Sequence, residues 1–273
     1  MRTTTLLRGI SAGALVGCLS WNAVSLAGAA AGDDQIVTDR PDFVESSLTV
    51  GKGRFQIETS VAGEHNRDGT LHETTLNTPT LLRLGVADAF ELRFETDGYT
   101  RFRTEDTSAP PPQTLYGMAD SALGVKWHMQ DGEGMRPSIG WLVHADLPSG
   151  SESLRGHGIR PSLRASFEWE LPKESSLGIM TGVIYDSRDD GHRYAAGIVG
   201  VTFGHNWTEQ FRTFVEVAAP QLARPANGGN LITYDFGLAY LITPKVQIDA
   251  AMFIGANDHT PDVAWTIGLS AKF

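Results

Sequence analysis

His144 and Asp146 stand two residues apart, so on an extended chain both side chains point to one face, the spacing at which a carboxylate can orient an imidazole for proton transfer. An acyl hydrolase built on this pair would also need a serine beside His144. The nearest serine on the same strand and face is Ser138, about 20 Å away at the rise of a strand, so only a neighbouring strand could complete a triad. His65, His72, His157, His192 and His259 are scattered through loop-like sequence and lack metal-ligand spacing. The expectation is therefore a chain with no catalytic residue, no metal and no cofactor. A lipid hydrolase using His144 is the enzymatic alternative. What the sequence offers instead is charge in strict alternation with apolar residues: Glu91, Arg93 and Glu95 against Phe90, Leu92 and Phe94, and Arg164 and Glu168 against Leu163, Phe167 and Trp169.

That alternation has a period of two, which requires strands with one apolar and one polar face. The last eleven residues, Val263 to Phe273, show it most cleanly: Val263, Trp265, Ile267, Leu269, Ala271 and Phe273 face one way, and Ala264, Thr266, Gly268, Ser270 and Lys272 the other. The same reading gives twelve strands, at about 54 to 64, 73 to 86, 89 to 103, 116 to 129, 136 to 147, 160 to 171, 175 to 186, 192 to 205, 209 to 219, 230 to 241, 245 to 255 and 262 to 273. Charges this frequent at interior positions would unfold a sandwich core, whereas a wet or ion-paired lumen tolerates them. Arg54, Glu58, Arg83, Glu91, Arg93, Glu95, His144, Asp146, Arg164 and Glu168 are the expected lumen-lining residues, with Arg101, Asp120, Lys126, Arg212, Glu216, Asp235 and Asp249 as further inward candidates. They could line a constriction carrying both signs or brace the wall as a salt-bridge ladder. The signs are nearly balanced, so strong selection for one ionic charge is not expected.

Connection lengths alternate too. Ala87-Asp88, Pro172 to Glu174, Asn206 to Thr208 and Thr243-Pro244 are tight, with Gln130 to Met135 looser. Between them lie longer polar segments at His65 to His72, Thr104 to Leu115, Pro148 to Ile159, Ser187 to Gly191, Pro220 to Gly229 and Ala256 to Pro261. Short turns at one end and longer loops at the other characterise a closed antiparallel up-and-down transmembrane β-barrel, and a sandwich has no reason to segregate them. Thr104 to Leu115 and Pro148 to Ile159 are the segments expected to fold over the mouth. Pro79 removes a ladder donor inside the second strand, so a local bulge or kink is expected there.

Arg2 and Arg8 precede a mostly apolar or small stretch to Leu26, and Ala27-Gly28-Ala29 offers a cleavage site, so residues 1–29 read as a signal peptide. Cys18, the sole cysteine, lies within it, and Leu15-Val16-Gly17-Cys18 offers the rival reading of a lipoprotein box. Residues 30–53 precede the first strand and form either a periplasmic leader or a lumenal plug, and 54–273 form the barrel. The formal net charge is -10, which disfavours nucleic acid as a partner. No second apolar run of helical spanning length follows, so a membrane-spanning protein must cross with strands.

Thr38-Asp39-Arg40-Pro41-Asp42-Phe43, Glu45-Ser46-Ser47 and Lys52 to Glu58 resemble the opening of a proteobacterial family assigned as transporters of the MetA pathway of phenol degradation. Thr78 to Val86 with Glu91-Leu92-Arg93, Gly117 to Trp127 and Leu147-Pro148-Ser149-Gly150 are similar to its later landmarks, with Ser149 in place of an expected Thr. The resemblance covers most of the mature chain. It implies an outer-membrane barrel and passage of small solutes, aromatic or hydrophobic compounds among them, and it supplies no binding residues. Outer-membrane lipid and the barrel-assembly machinery are the other expected partners, the latter through an assembly signal at Phe273. The alternative from a different class is a non-conducting barrel whose loops serve as an adhesion or scaffold surface.

Overall fold

A computed structural model describes residues 35–109, 111–188 and 190–273, so the signal-peptide and Cys18 readings lie outside the described residues. Twelve antiparallel strands form one closed wall. They are β1 (Phe55–Asp68), β2 (Leu71–Asn77 continuing as Thr80–Ala87), β3 (Phe90–Thr96 and Tyr99–Asp106), β4 (Gln113–Met118 and Ser121–Gln130), β5 (Ser138–Leu147) and β6 (Arg160–Leu171). The second half comprises β7 (Ser175–Ser187), β8 (Arg193–Asn206), β9 (Phe211–Leu222), β10 (Leu231–Thr243), β11 (Val246–Gly255) and β12 (Val263–Lys272). Each strand pairs with its neighbours in sequence, and β12 returns to β1 from Gln56↔Lys272 to His65↔Val263, which closes the wall, while the Gln113–Met118 part of β4 pairs on its β3 side alone. Phe55 and Phe273 then exchange backbone hydrogen bonds at the rim, with Phe273 N donating to Phe55 O at 2.8 Å.

The predicted faces are those observed. Leu92, Phe94, Val143, Leu163, Ile267 and Leu269 project outward and are exposed, while Glu91, Arg93, His144, Arg164, Thr266 and Ser270 point inward and are buried. A wall that is apolar outside and polar inside suits hydrocarbon around it and polar groups within. Aromatic residues mark both rims: Phe90 stacks on Trp127 near the short turns, with ring centroids 6.1 Å apart, and Tyr99, Tyr116 and Tyr185 are exposed toward the other end. No described helix is long and apolar enough to cross a membrane. Ile267 lies mid-strand at 63% exposure. Ile267→Arg is expected to destabilise the lipid-embedded barrel by about 2–4 kcal/mol, measured by urea unfolding of protein reconstituted in vesicles, and an unchanged midpoint would place this face away from lipid.

The sequence reading runs β2, β3 and β4 straight, with one anomaly at Pro79, but the structure interrupts all three. The breaks fall at Thr78–Pro79, Asp97–Gly98 and Ala119–Asp120 and lie side by side across the wall. Pairing changes from Leu76↔Arg101 to Thr80↔Thr96, so residues 97–100 stand opposite residues 77–79 and β3 carries one extra residue. Gly98 accommodates the bend at φ +67°, and a Cβ there would meet Thr78 O at 2.4 Å. The extra residue reverses the phase of β3. Arg101, expected to face the lumen, therefore faces outward while Thr100 is buried.

The long loops are also shorter than the sequence suggests. Strands extend to Asp68 and resume at Leu71, and within the Thr104 to Leu115 segment strands extend to Asp106 and resume at Gln113. The loop after β5 does fold back onto the wall: Asp120 accepts hydrogen bonds from Gly150 N at 2.8 Å, Gly156 N at 3.0 Å and Arg160 Nη2 at 3.0 Å.

Candidate functional site: the occupied lumen

Inside the barrel, the wall's charges meet the stretch that precedes β1. Residues 38–47 are buried throughout, and the segment crosses the lumen near the short-turn end. Ile36 N donates to Pro244 O at 2.8 Å in the β10–β11 turn, and Thr49 Oγ1 donates to Asp88 O at 2.6 Å in the β2–β3 turn. Between these ends the segment is secured chiefly by wall side chains. Glu58 accepts Asp39 N at 2.7 Å, Glu216 accepts Phe43 N at 2.6 Å and Val44 N at 2.9 Å, Glu168 accepts Ser47 N at 2.7 Å, and Glu91 accepts Val50 N at 2.9 Å. Each carboxylate thus caps amides that a non-helical, non-sheet segment would otherwise bury unpaired.

The segment's own charges answer those of the wall. Asp39 lies 3.1 Å from Arg83 Nη1 and 2.8 Å from Lys126 Nζ, and also pairs with Arg93. Asp42 pairs with Arg212 at 2.9 Å and Glu45 with Arg164 at 2.8 Å, while Arg40 reaches Asp249 at 3.2 Å. Phe43 and Val44 enter an apolar patch of Met180, Ile198 and Ala218 within this otherwise polar interior. Space for the backbone comes from inward-facing glycines. A Cβ on Gly140 would meet Ser47 Cα and O at 2.6 Å, and one on Gly200 would meet Phe43 and Val44 side-chain atoms at 2.9 Å.

Nine of the ten residues expected to line the lumen sit on this inner face. Glu58, Arg83, Glu91, Arg93 and Glu95 form one connected network on β1, β2 and β3, in which Arg83 bridges Glu91 at 2.8 Å and Glu58 at 3.1 Å, and Arg93 bridges Glu95 at 2.9 Å. His144, Asp146, Arg164 and Glu168 continue it on β5 and β6. Arg54 departs from the expectation: it precedes β1 at the rim, half-buried, where its amide donates to Gly51 O in a turn rather than to a strand partner. The sequence treatment of residues 30–53 left open which wall groups would meet them. Those partners lie up to 237 residues away and no local periodicity encodes them.

The structure also brings a serine to His144. Ser162 is its cross-strand partner on β6 and points inward. The ring is nevertheless committed elsewhere: Nε2 lies 3.1 Å from Asp146 and Nδ1 3.6 Å from Glu95, and Ser162 Oγ has no hydrogen-bond partner. A general base needs a nitrogen turned to the nucleophile, and here both are turned to carboxylates. The arrangement braces the wall.

A family model described as "Putative MetA-pathway of phenol degradation" matches residues 38–273. None of the curated proteins compared matches the chain. Among solved structures, an outer membrane channel from Pseudomonas putida F1 is similar with TM-score 0.63 at 10% identity, over 84% of this chain and 98% of that one. The translocator domain of the autotransporter NalP from Neisseria meningitidis gives 0.55 at 8% identity, over 84% and 90%. The β domain of the Bordetella autotransporter BrkA gives 0.52 at 12%, over 80% and 98%. At these identities the likeness is one of fold, and that fold is the outer-membrane β-barrel.

Proposed function

The chain belongs to the family of the MetA pathway of phenol degradation, and on that footing we propose that it is an outer-membrane channel for small solutes, aromatic or hydrophobic ones among them, occluded at its short-turn end by residues 36–50. The observation that carries this reading is how the lumen is filled. Twelve strands enclose more space than their own side chains close, and the obstruction is one contiguous segment held by hydrogen bonds and ion pairs to the wall. Such a segment can be displaced without breaking a β-ladder. The lumen-lining role belongs to Glu58, Arg83, Glu91, Arg93, Glu95, His144, Asp146, Arg164 and Glu168. Their ion pairs and hydrogen bonds hold them in place, and the solute path lies above them. The chain is read as non-catalytic.

Refolded protein in planar bilayers is expected to give discrete conductance steps, and proteoliposomes to swell in isosmotic arabinose or glycerol faster than protein-free vesicles. A channel is excluded by the absence of steps together with unchanged swelling, a result that favours the adhesion or scaffold alternative. Outer-membrane lipid is the surrounding solvent for the exposed apolar belt.

Phe273 is proposed as the residue that the barrel-assembly machinery reads. Its ring packs 6.2 Å from that of Phe55 across the closing seam. Deleting Phe273 is expected to lower membrane insertion far more than solute passage per inserted barrel. Wild-type amounts of heat-modifiable folded protein in that variant would count against the assignment.

A further inference from the structure

We infer that the lumen holds, above the threaded segment, a subsite for a small organic cation, a primary ammonium on a short apolar body. A cavity of about 80 Å³ lies there, with Phe43 of the threaded segment, Ile184 and Phe253 as apolar surfaces and Glu64, Asp186 and Asp235 as its charged groups. Gln221, Thr260 and Pro261 bound it toward the long loops. No arginine or lysine lines it. The inference deepens the channel reading and rests on it for the route by which a solute arrives.

The charge balance of the lumen explains why this wall is acidic although the barrel's inward signs are nearly even. The threaded segment contributes Asp39, Asp42 and Glu45, and these carboxylates engage Arg83, Arg93, Lys126, Arg164 and Arg212. Those wall cations are thereby committed near the short-turn end. Of the three acids at the cavity, Asp186 has a cation at 3.5 Å, Arg160, whereas among the described residues neither Glu64 nor Asp235 has one within ion-pair distance. Asp235 is the sharper case. It is 1% exposed, and neither oxygen is in hydrogen-bond geometry with a donor. The polar groups against it are the Thr233 hydroxyl and the Glu216 carboxyl, and the latter already accepts the amides of Phe43 and Val44.

A buried carboxylate without a counter-charge is costly, and a cation delivered from the cavity relieves that cost. An ammonium has three donors and no acceptor, so it can satisfy Asp235 with Glu64 adding favourable charge at the same cavity, while the apolar surfaces take its hydrocarbon part. A carboxylate solute of the same size meets only like charge. The selected class is therefore cationic, with neutral alcohols weaker and anions excluded.

The probe is n-butylammonium, with n-butanol and butyrate as neutral and anionic counterparts, bound to the full folded chain in detergent and read by saturation-transfer NMR and calorimetry. Binding is expected in the order ammonium, alcohol, carboxylate. Asp235→Asn should weaken the ammonium roughly tenfold or more, the effect of one charge-assisted hydrogen bond, and leave n-butanol within about twofold. Glu64→Gln provides the same comparison should Asp235→Asn fail to fold. Equal binding of butyrate and n-butylammonium, or ammonium binding indifferent to the carboxamide substitution in a folded variant, overturns the subsite. Arabinose and glycerol swelling, run in parallel, separates the two ideas. Selective binding without swelling removes the channel and keeps the subsite, and swelling without selective binding does the reverse.

Discussion

Asp39→Ala is expected to release residues 36–50 from the lumen and to raise single-channel conductance severalfold while the barrel itself stays folded. Asp39 is buried and serves three cations, Arg83, Arg93 and Lys126. Removing one member of a buried ionic cluster leaves the others desolvated without compensation, which costs about 3–5 kcal/mol. That cost need not be borne by the wall. The strands keep their backbone ladders, and Arg83 and Arg93 keep Glu58, Glu91 and Glu95 as partners. The segment loses its tightest ionic anchor to β2, β3 and β4, and toward β3 and β4 it keeps only the longer pairs of Glu45 with Arg93 at 3.7 Å and Lys126 at 3.6 Å. Water admitted by its departure then solvates the freed cations. Limited proteolysis within 36–50 together with retained heat-modifiable migration is the signature to look for. A protease-resistant segment with wild-type conductance would show that Asp39 does not anchor it. Asp190→Ala sets the baseline: Asp190 lies on the exposed turn after β7, held at about 2 chiefly by the Arg188 side chain, and its loss should alter neither readout.

The same contrast between wall and filling explains what could be read from sequence. A strand between lipid and a polar interior writes its environment every second residue, so the inward placement of Glu91, Arg93 and Glu95 follows from local pattern alone. Alternation fails where the backbone slips. Arg101 was misplaced because one extra residue in β3 inverts the phase, and the available signal was Asp97-Gly98, a turn dipeptide inside an otherwise strand-like run. The contacts of the threaded segment were not legible by any period. Asp39 meets Lys126 and Asp42 meets Arg212 at separations of 87 and 170 residues, and both partnerships depend on barrel closure. The acidic cavity was hidden for the same reason. Counting inward charges gives near balance, and only the pairing shows that the cations are consumed at one end. Gly140 and Gly200 did carry a signal. Glycine at an inward position within a strand weakens the strand and marks a close approach, of the Ser47 backbone at Gly140 and of the Phe43 and Val44 side chains at Gly200.

Gly140 supplies the second strong test, because its effect is steric and owes nothing to charge. Gly140→Val is expected to expel the Ser47 end of the segment. The added Cβ would lie 2.6 Å from both Cα and O of Ser47 and 2.9 Å from its carbonyl carbon, so the obstacle is backbone that cannot rotate aside. Overpacking of this kind costs typically about 1–3 kcal/mol. Displacement also removes the amide and hydroxyl contacts of Ser47 with Glu168 and its contact with Ser138. Glu168 is left buried without those donors until water reaches it, a cost that opposes displacement and that the clash with backbone must exceed. Gly197→Val is the matched control: its Cβ would meet only Leu222 side-chain atoms, at 3.5 and 3.8 Å, and leave the segment untouched. Conductance should rise in the Gly140 variant and not in the Gly197 variant, with both migrating as folded barrels. If Gly140→Val stays as closed as wild type, the segment's passage over β5 is not what occludes the lumen. If it opens while Asp39→Ala does not, steric fit rather than ionic anchoring sets the closed state.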